Sequence, residues 1–144
     1  MATHKKKCTE CGSEKIVLLE QKGTTFPWKD YPGVVLKKSL KLRQCADCGD
    51  IITNLKEAET LENLLIETIN EQVALFIETI LKREKVSQVD LSQKLGVSPV
   101  YLTEVKKGRK QPSYQIFNLI KILALNAKAY ELSSKEYDFT AIKS

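Results

Sequence analysis

Several residue types and segment types are scarce in this sequence, and each scarcity argues against a class of function. The chain has 144 residues but only one histidine, one tryptophan and one methionine. Because the histidine, His4, lies near the chain end with no carboxylate pair placed against it, we do not expect an enzyme. No apolar run approaches the roughly 18 residues of a membrane-spanning helix. No apolar core follows the lysines after His4, so we expect no signal peptide and a cytoplasmic location.

Proline and glycine are absent between Gly49 and Gly96, which favours helix through the middle of the chain. From Leu61 to Leu81, apolar residues recur at steps of three and four, as they do on one face of a helix. This pattern predicts either one long helix or two helices with a break near 68–71.

The charge balance is basic, with a net charge of +5 and a pI near 9.0. Basic residues lie on both sides of an acidic segment at 56–72. A basic protein attracts polyanions such as nucleic acid without reading their sequence. Because mild basicity is common among proteins, the charge supports a nucleic-acid partner only together with a motif.

All four cysteines fall in two copies of the pattern C-x2-C-G, Cys8 with Cys11 and Cys45 with Cys48. A C-x2-C turn brings two thiolates onto one metal ion, and two such turns complete a tetrahedral sulfur shell, which suits Zn2+. A sulfur-only shell leaves no open position for water, so we expect one structural Zn2+ ion. Iron fits the same four thiolates, and two disulfides or four free thiols are the alternatives.

Two segments between the cysteine pairs, 15–21 and 34–43, have the composition and alternation of β-strands. The segment between them, 23–33, has two prolines and two glycines, which predicts a long loop. This loop carries three aromatic residues, Phe26, Trp28 and Tyr31. Either their side chains cover a small sheet with a thin core, or they form an exposed surface that binds a partner protein.

Residues 87–112 hold the start and stop signals of two short helices joined by a tight turn. Ser87 and Asp90 form a capping-box pattern at the first start, and Gly96 supplies a left-handed residue at the first stop. Ser98 then caps a second helix that has proline at its first position. Helices this short are not stable alone. The pattern therefore predicts a helix-turn-helix packed on neighbouring helices, with its second helix offered to a DNA major groove.

This segment resembles the helix-turn-helix of the Cro/phage-repressor type, also called the XRE type. The resemblance is carried in one register by Ser87, Gln88, Leu91, 94–98, Leu102, Thr103, Gly108, Pro112 and Ser113. It covers about residues 70–125 and implies an all-α domain of about five helices. The family usually pairs an arginine on its first helix with a glutamate two residues before the closing glycine, and Leu81 and Lys106 stand at those positions here.

The order of the modules resembles the MqsA family of antitoxins, which includes the YgiT-type zinc-finger proteins. The resemblance implies a homodimer that represses its own operon at a palindromic site in double-stranded DNA. It also implies a zinc domain that binds and blocks a toxin protein, usually a ribonuclease. The alternative is a stand-alone zinc-ribbon/helix-turn-helix regulator with no toxin partner.

The outward residues of the predicted helix-turn-helix divide into two groups. We expect one group to hold DNA phosphates or neutralise their charge: Gln88, Ser98, Lys106, Lys107, Arg109 and Lys110. We expect the other group to face the bases: Val100, Tyr101, Thr103 and Glu104. Val100 and Glu104 replace the asparagine and arginine that look like base readers in the MqsA family, so we expect a different operator sequence.

Together these patterns predict an α+β chain of four parts. Residues 1–55 form a small zinc-bound β-sheet domain of the zinc-ribbon kind, and residues 56–69 form a helical linker. Residues 70–132 form the DNA-binding domain, and residues 133–144 form a tail. The segment 114–125 is apolar nearly all round, so we expect part of its surface in a dimer contact.

Overall fold

The protein divides into two compact units, one ending at Thr68 and the other beginning at Ile69. A computed structural model describes residues 7–133. Apart from Ser133, the tail expected at 133–144 lies outside the described residues. Within the described part, five strands are followed by five helices, so the predicted α+β class is confirmed. No helix in this part of the chain has both the length and the apolar character needed to cross a bilayer.

The first unit contains short antiparallel strands: β1 (Ile16–Glu20), β2 (Thr25–Trp28), β3 (Tyr31–Val35), β4 (Lys41–Cys45) and β5 (Ile51–Ile52). Three of them form a sheet in the order β1-β4-β5, and β2 pairs with β3 in a separate hairpin. The register sets Ile16 opposite Cys45. The apolar strand β1 therefore runs beside the strand that leads into the second cysteine pair.

The expectation of a long loop at 23–33 is wrong, because this segment forms most of the β2–β3 hairpin. Its register pairs Thr25 with Val35. Proline removes a backbone donor, but edge strands tolerate it, and both strands of a two-stranded sheet are edges. The single strand expected at 34–43 is also two strands, since β3 ends at Val35 and β4 begins at Lys41.

Few apolar side chains are buried in the strand-containing part of the first unit. Besides cysteine they are Phe26, Trp28, Tyr31, Val34, Leu36 and Leu42. A buried glutamine, Gln21, adds polar contacts: its amide donates to the Leu19 carbonyl at 3.2 Å and to the Gln44 side chain at 3.3 Å. The Gln44 amide in turn donates to the Gly49 carbonyl at 3.0 Å. These bonds tie the sheet to the second cysteine turn.

One continuous helix of 30 residues, α1 (Leu55–Glu84), follows the strands, which decides between the two arrangements left open by the sequence. The Asn54 side chain accepts a hydrogen bond from the Glu57 N–H at 2.7 Å, and the Glu57 carboxylate accepts one from the Asn54 N–H at 3.0 Å. Arg43 on β4 donates to the same carboxylate at 2.6 Å. The segment expected as a linker is therefore attached to the sheet where α1 begins.

The second unit is helical. After the last turns of α1 come α2 (Gln88–Leu95), α3 (Pro99–Lys106), α4 (Tyr114–Leu125) and α5 (Ala127–Leu132). One buried cluster forms its core: Val73, Ile77, Ile80, Leu91, Leu95, Leu102, Val105, Ile120, Leu123 and Ala124. Arg83 donates to the carbonyls of Leu123 and Ala124, both at 2.6 Å. This cation satisfies carbonyl groups that the end of α4 leaves free.

Candidate metal centre and candidate nucleic-acid interface

The two cysteine turns have the same backbone geometry. Gly12 donates to the Cys8 carbonyl at 2.8 Å, and Gly49 donates to the Cys45 carbonyl at 3.0 Å. Both glycines are left-handed, with φ of 74° and 79°, a conformation that side chains disfavour. In each turn the N–H of the first cysteine also donates to the carbonyl just after the glycine, at 2.9 and 2.8 Å. The two copies of the C-x2-C-G pattern thus adopt the same backbone conformation.

The four cysteine sulfur atoms all lie within 4.8 Å of one another. Cys8 and Cys48 are 3.5 Å apart, as are Cys11 and Cys45, so each of these pairs joins one turn to the other. Metal–thiolate bonds of about 2.3 Å set the sulfurs of a tetrahedral site about 3.8 Å apart. All four are free thiols and not disulfides. The cluster therefore fits one metal ion, with two ligands buried and two exposed.

Backbone hydrogen bonds and crowding move the thiol pKa values in opposite directions. The N–H of Cys48, and after it the N–H of Asp47, donates to the Cys45 sulfur and lowers the pKa of Cys45 to about 6. At Cys48 the N–H of Asp50 lowers the pKa, but the thiol of Cys8, desolvation and the other two thiols outweigh it and raise the pKa to about 12. Four thiols this close do not all ionise at neutral pH unless a cation offsets their charge.

The two helices predicted within 87–112 are present, with the caps expected from the sequence. The Ser87 hydroxyl accepts from the Asp90 N–H at 3.1 Å, and the Asp90 carboxylate accepts from the Ser87 N–H at 3.2 Å. Gly96 ends α2 with φ of 74°. The Ser98 hydroxyl accepts a bond of 3.0 Å from the N–H three residues on, where α3 begins. Local capping rules account for the starts of both helices and for the end of α2.

One side of α3 is buried and the other is open. Leu102 and Val105 are fully buried, whereas Val100 is 71% exposed. The other predicted DNA contacts lie at the start of α2, on α3 and in the segment after it. Among them, Ser98, Lys107, Arg109 and Lys110 are exposed, and Gln88, Tyr101, Thr103, Glu104 and Lys106 are partly buried.

Several of these side chains contact one another. The Gln88 amide donates to the Thr103 hydroxyl at 3.3 Å and accepts from the Lys106 ammonium at 3.4 Å. The Lys110 ammonium lies 5.0 Å from the centre of the Tyr101 ring, a cation–π contact. Such contacts join α2 to α3, or α3 to the segment after it, so helix periodicity did not reveal them.

No known protein-family model matches the chain, and no curated protein matches it. The resemblance to the XRE helix-turn-helix and to the MqsA antitoxins is therefore carried by the motifs alone and stays a prediction. The fold class and the meeting of the four cysteines rest on the structure itself.

The three aromatic residues considered for a partner surface lie inside the first unit. Phe26, Trp28 and Tyr31 are only 8%, 8% and 4% exposed, and the rings of the last two are 5.7 Å apart. This burial contradicts an exposed aromatic surface and agrees with the interpretation that these residues cover a thin core. Interface anchors need accessible area, and these side chains have little to offer.

Two further features were not singled out from the sequence. The Asn70 amide donates to the Gly108 carbonyl at 3.4 Å and so holds the segment after α3 against α1. In the sequence, Asn70 stands out only as a polar residue beside the apolar stripe of α1.

The other feature is the exposure of β1, whose central residues Val17, Leu18 and Leu19 are 41%, 60% and 45% exposed. Strand composition predicted β1 but not which of its sides is open.

Proposed function

We propose that the protein is a sequence-specific DNA-binding repressor that reads DNA with α3. The observation that carries this proposal is the open side of α3, with Val100 71% exposed and basic residues following at Lys107, Arg109 and Lys110. In helix-turn-helix proteins the second helix enters the major groove and its N-terminal residues meet the base edges. Lysine and arginine beside it add affinity for phosphate.

We propose that the residues on the exposed side of α3 contact the base edges. Val100 contacts a thymine methyl group, Tyr101 and Thr103 contact neighbouring bases, and Glu104 accepts from a cytosine amine. Glu104 lies 3.8 Å from Arg109 in a largely exposed pair. Exposed pairs contribute little free energy, so opening this pair for DNA costs little.

We propose that the residues at the rim of this surface contact the DNA phosphates. Gln88 and Ser98 hold the DNA backbone, and Lys106 with the basic residues after it neutralises the charge of the phosphates. The contacts of Gln88 with Thr103 and Lys106 support this assignment. They hold an amide donor and an ammonium group in place, which lowers the entropy lost when DNA binds.

The test compares substitutions of the two classes on the promoter DNA upstream of the protein's own gene. Tyr101→Ala should relax specificity at one base pair by about 1–3 kcal/mol. Lys107→Ala should weaken binding to all sequences alike and reduce the salt slope by about one. Lys82→Ala, at an exposed lysine on α1, is the matched control and should change neither quantity. Identical behaviour of the first two variants would refute the assignment.

We infer that the metal of the cysteine cluster is one structural zinc ion. Four thiolates in a closed shell favour zinc over oxygen-seeking cations and leave no position for a reacting water. The purified protein should contain one zinc per chain by elemental mass spectrometry. Cys45→Ser should lose it, whereas Thr9→Ser, at an exposed non-ligand position of the first turn, should retain it. Iron in place of zinc would overturn the assignment.

The resemblance to the MqsA family further supports an antitoxin role, in which the first unit binds and blocks a toxin and the second represses the operon. Co-expression with the neighbouring gene of the same transcript tests this role. A small ribonuclease should co-purify with the full chain and not with a chain lacking residues 1–55. If no partner is retained by the full chain, the protein is the alternative, a stand-alone regulator.

The proposed repressor acts as a homodimer, because a palindromic operator presents two equal half-sites. The exposure of large apolar side chains on the last helices supports a contact between copies there. Ile122, Leu125 and Leu132 are 46%, 69% and 77% exposed. Analytical ultracentrifugation at low protein concentration should give twice the chain mass, and Leu125→Lys should reduce it to one chain.

A further inference from the structure

Strand β1 presents an unpaired apolar edge in the first unit. In the sheet order β1-β4-β5 it has a strand neighbour on one side only among residues 7–133. The central residues on this edge, Val17, Leu18 and Leu19, are exposed. Proteins usually protect an edge with charge, proline, a bulge or a cover, because a bare apolar edge pairs readily with another strand. This edge is therefore a candidate for pairing between chains.

The hydrogen bonds to β4 show which backbone groups of β1 point to the open side. The Lys15 carbonyl accepts a bond from the β4 side, and the Gln21 N–H donates one to that side, both at 2.8 Å. Inter-strand hydrogen bonds alternate along an antiparallel strand, so the backbone N–H and carbonyl groups of the odd-numbered residues of β1 point toward β4. The backbone groups of Ile16, Leu18 and Glu20 therefore point outward.

Some outward groups at the ends of β1 already have partners within the unit. The Ile16 N–H donates to the Glu14 carbonyl at 3.0 Å, and just beyond β1 the Lys22 N–H donates to the Glu20 carboxylate at 3.1 Å. Within the part of the chain that the structure describes, the groups left for a new strand are the N–H and carbonyl of Leu18, the Glu20 N–H and carbonyl, and the Ile16 carbonyl. The open part of the edge is thus centred on Leu18.

We propose that β1 pairs with β1 of a second copy of this chain, antiparallel across a twofold axis at Leu18. In this register Leu18 exchanges both of its hydrogen bonds with Leu18 of the second copy. The Glu20 N–H donates to the Ile16 carbonyl of the second copy, and the symmetric bond forms as well. This pairing uses each open group except the Glu20 carbonyl, and it breaks no bond within the unit.

The charges around Leu18 favour a second copy over an unrelated strand. The same register sets Glu14 opposite Lys22 of the second copy at both ends, and Val17 opposite Leu19. Opposite charges and apolar pairs across strands are stabilising, whereas like charges are not. A register centred on Glu20 would set two carboxylates opposite one another. The segment is therefore complementary to itself in the register centred on Leu18.

This contact lies in the first unit and does not rest on the proposed DNA-binding function. A single pair of strands is smaller than a standard interface of about 1,200–2,000 Å2, so we expect association that depends on protein concentration.

Sedimentation of the full chain over a range of concentrations tests the pairing. Leu18→Lys sets two ammonium groups against each other and should raise the dissociation constant of the β1 contact at least about tenfold. Leu55→Lys, at a leucine of the same unit that is 79% exposed, is the matched control and should leave it unchanged. Glu14→Lys should weaken association, and adding Lys22→Glu to that variant should restore it.

Amide hydrogen exchange gives a second readout at the edge itself. The Leu18 and Glu20 amides of the unsubstituted protein should exchange more slowly as its concentration rises, while Trp28 fluorescence confirms that each variant is folded. Unchanged association of a folded Leu18→Lys variant would overturn the proposal. So would amide protection that is independent of concentration, or protection that appears only when a different protein is added.

Discussion

Removing the proposed zinc ion from the cysteine cluster should unfold the strand-containing part of the first unit and leave the helices of the second unit folded. The strand-containing part of the first unit buries only six apolar side chains besides cysteine, and small domains of this kind usually need a metal or disulfides. A structural zinc site contributes roughly 10–16 kcal/mol to folding. That exceeds the stability of most small domains, which lies at the low end of about 5–15 kcal/mol. Loss of the metal therefore outweighs what the remaining core supplies.

The chain carries a convenient probe, because its only tryptophan lies in the first unit. Trp28 is 8% exposed, and its indole N–H has no hydrogen-bond partner within residues 7–133. Its fluorescence should shift to the red when a chelator removes the metal, since the indole then meets water. The far-ultraviolet helix signal should fall only slightly, because α2 to α5 pack around a core that contains no cysteine. Adding zinc back should reverse the fluorescence change.

A single substitution sharpens the same test. Cys48→Ser removes one of the two exposed ligands, so it deletes a metal bond while disturbing little packing. It should reproduce the chelator's effect on Trp28, whereas Thr9→Ser should not. If Trp28 stayed buried in protein shown by mass spectrometry to contain no metal, the fold of the first unit would not depend on the ion. The reasoning about its thin core would then be refuted.

Three further predictions concern stability. Leu102→Ala should destabilise the second unit by about 2–5 kcal/mol because this side chain is fully buried. The exposed Val100→Ala should destabilise it by less than about 0.5 kcal/mol. Equal losses of stability in thermal unfolding would contradict the assigned faces of α3. Arg83→Met should cost about 1.5–3 kcal/mol by deleting charged hydrogen bonds to α4, whereas the exposed Lys82→Met should be neutral by the same measurement. The Ser39 hydroxyl and two backbone N–H groups donate hydrogen bonds to the Glu20 carboxylate and lower its pKa. The contribution of Glu20 to folding stability is therefore present at neutral pH and is lost as the pH falls through that lowered pKa. Urea titrations below pH 5 should show this loss in the unsubstituted protein and not in Glu20→Gln.

The sequence alone determined the features that depend on neighbours within about five positions. Gly12 and Gly49 close two identical cysteine turns, and Ser87 with Asp90 caps α2 as its spacing predicts. The apolar periodicity likewise predicted helix through the middle of the chain and the buried side of α3, but it left open whether the first was one helix or two. Caps, turns and helix faces arise from bonds between residues close in the chain, so one sequence contains enough information to place them.

Only the tertiary structure decided which surfaces are covered. The segment 23–33 has the composition of a loop, yet its pairing with residues up to Val35 makes a hairpin and buries Trp28. Conversely, Leu18 belongs to an apolar strand that a core could have covered, yet it lies on an open edge. Burial depends on which distant segments arrive beside a residue, and that information is not local. Strand pairing in particular derives from cross-strand and same-face neighbours more than from intrinsic preference, which is why the helices were predicted more accurately than the sheets.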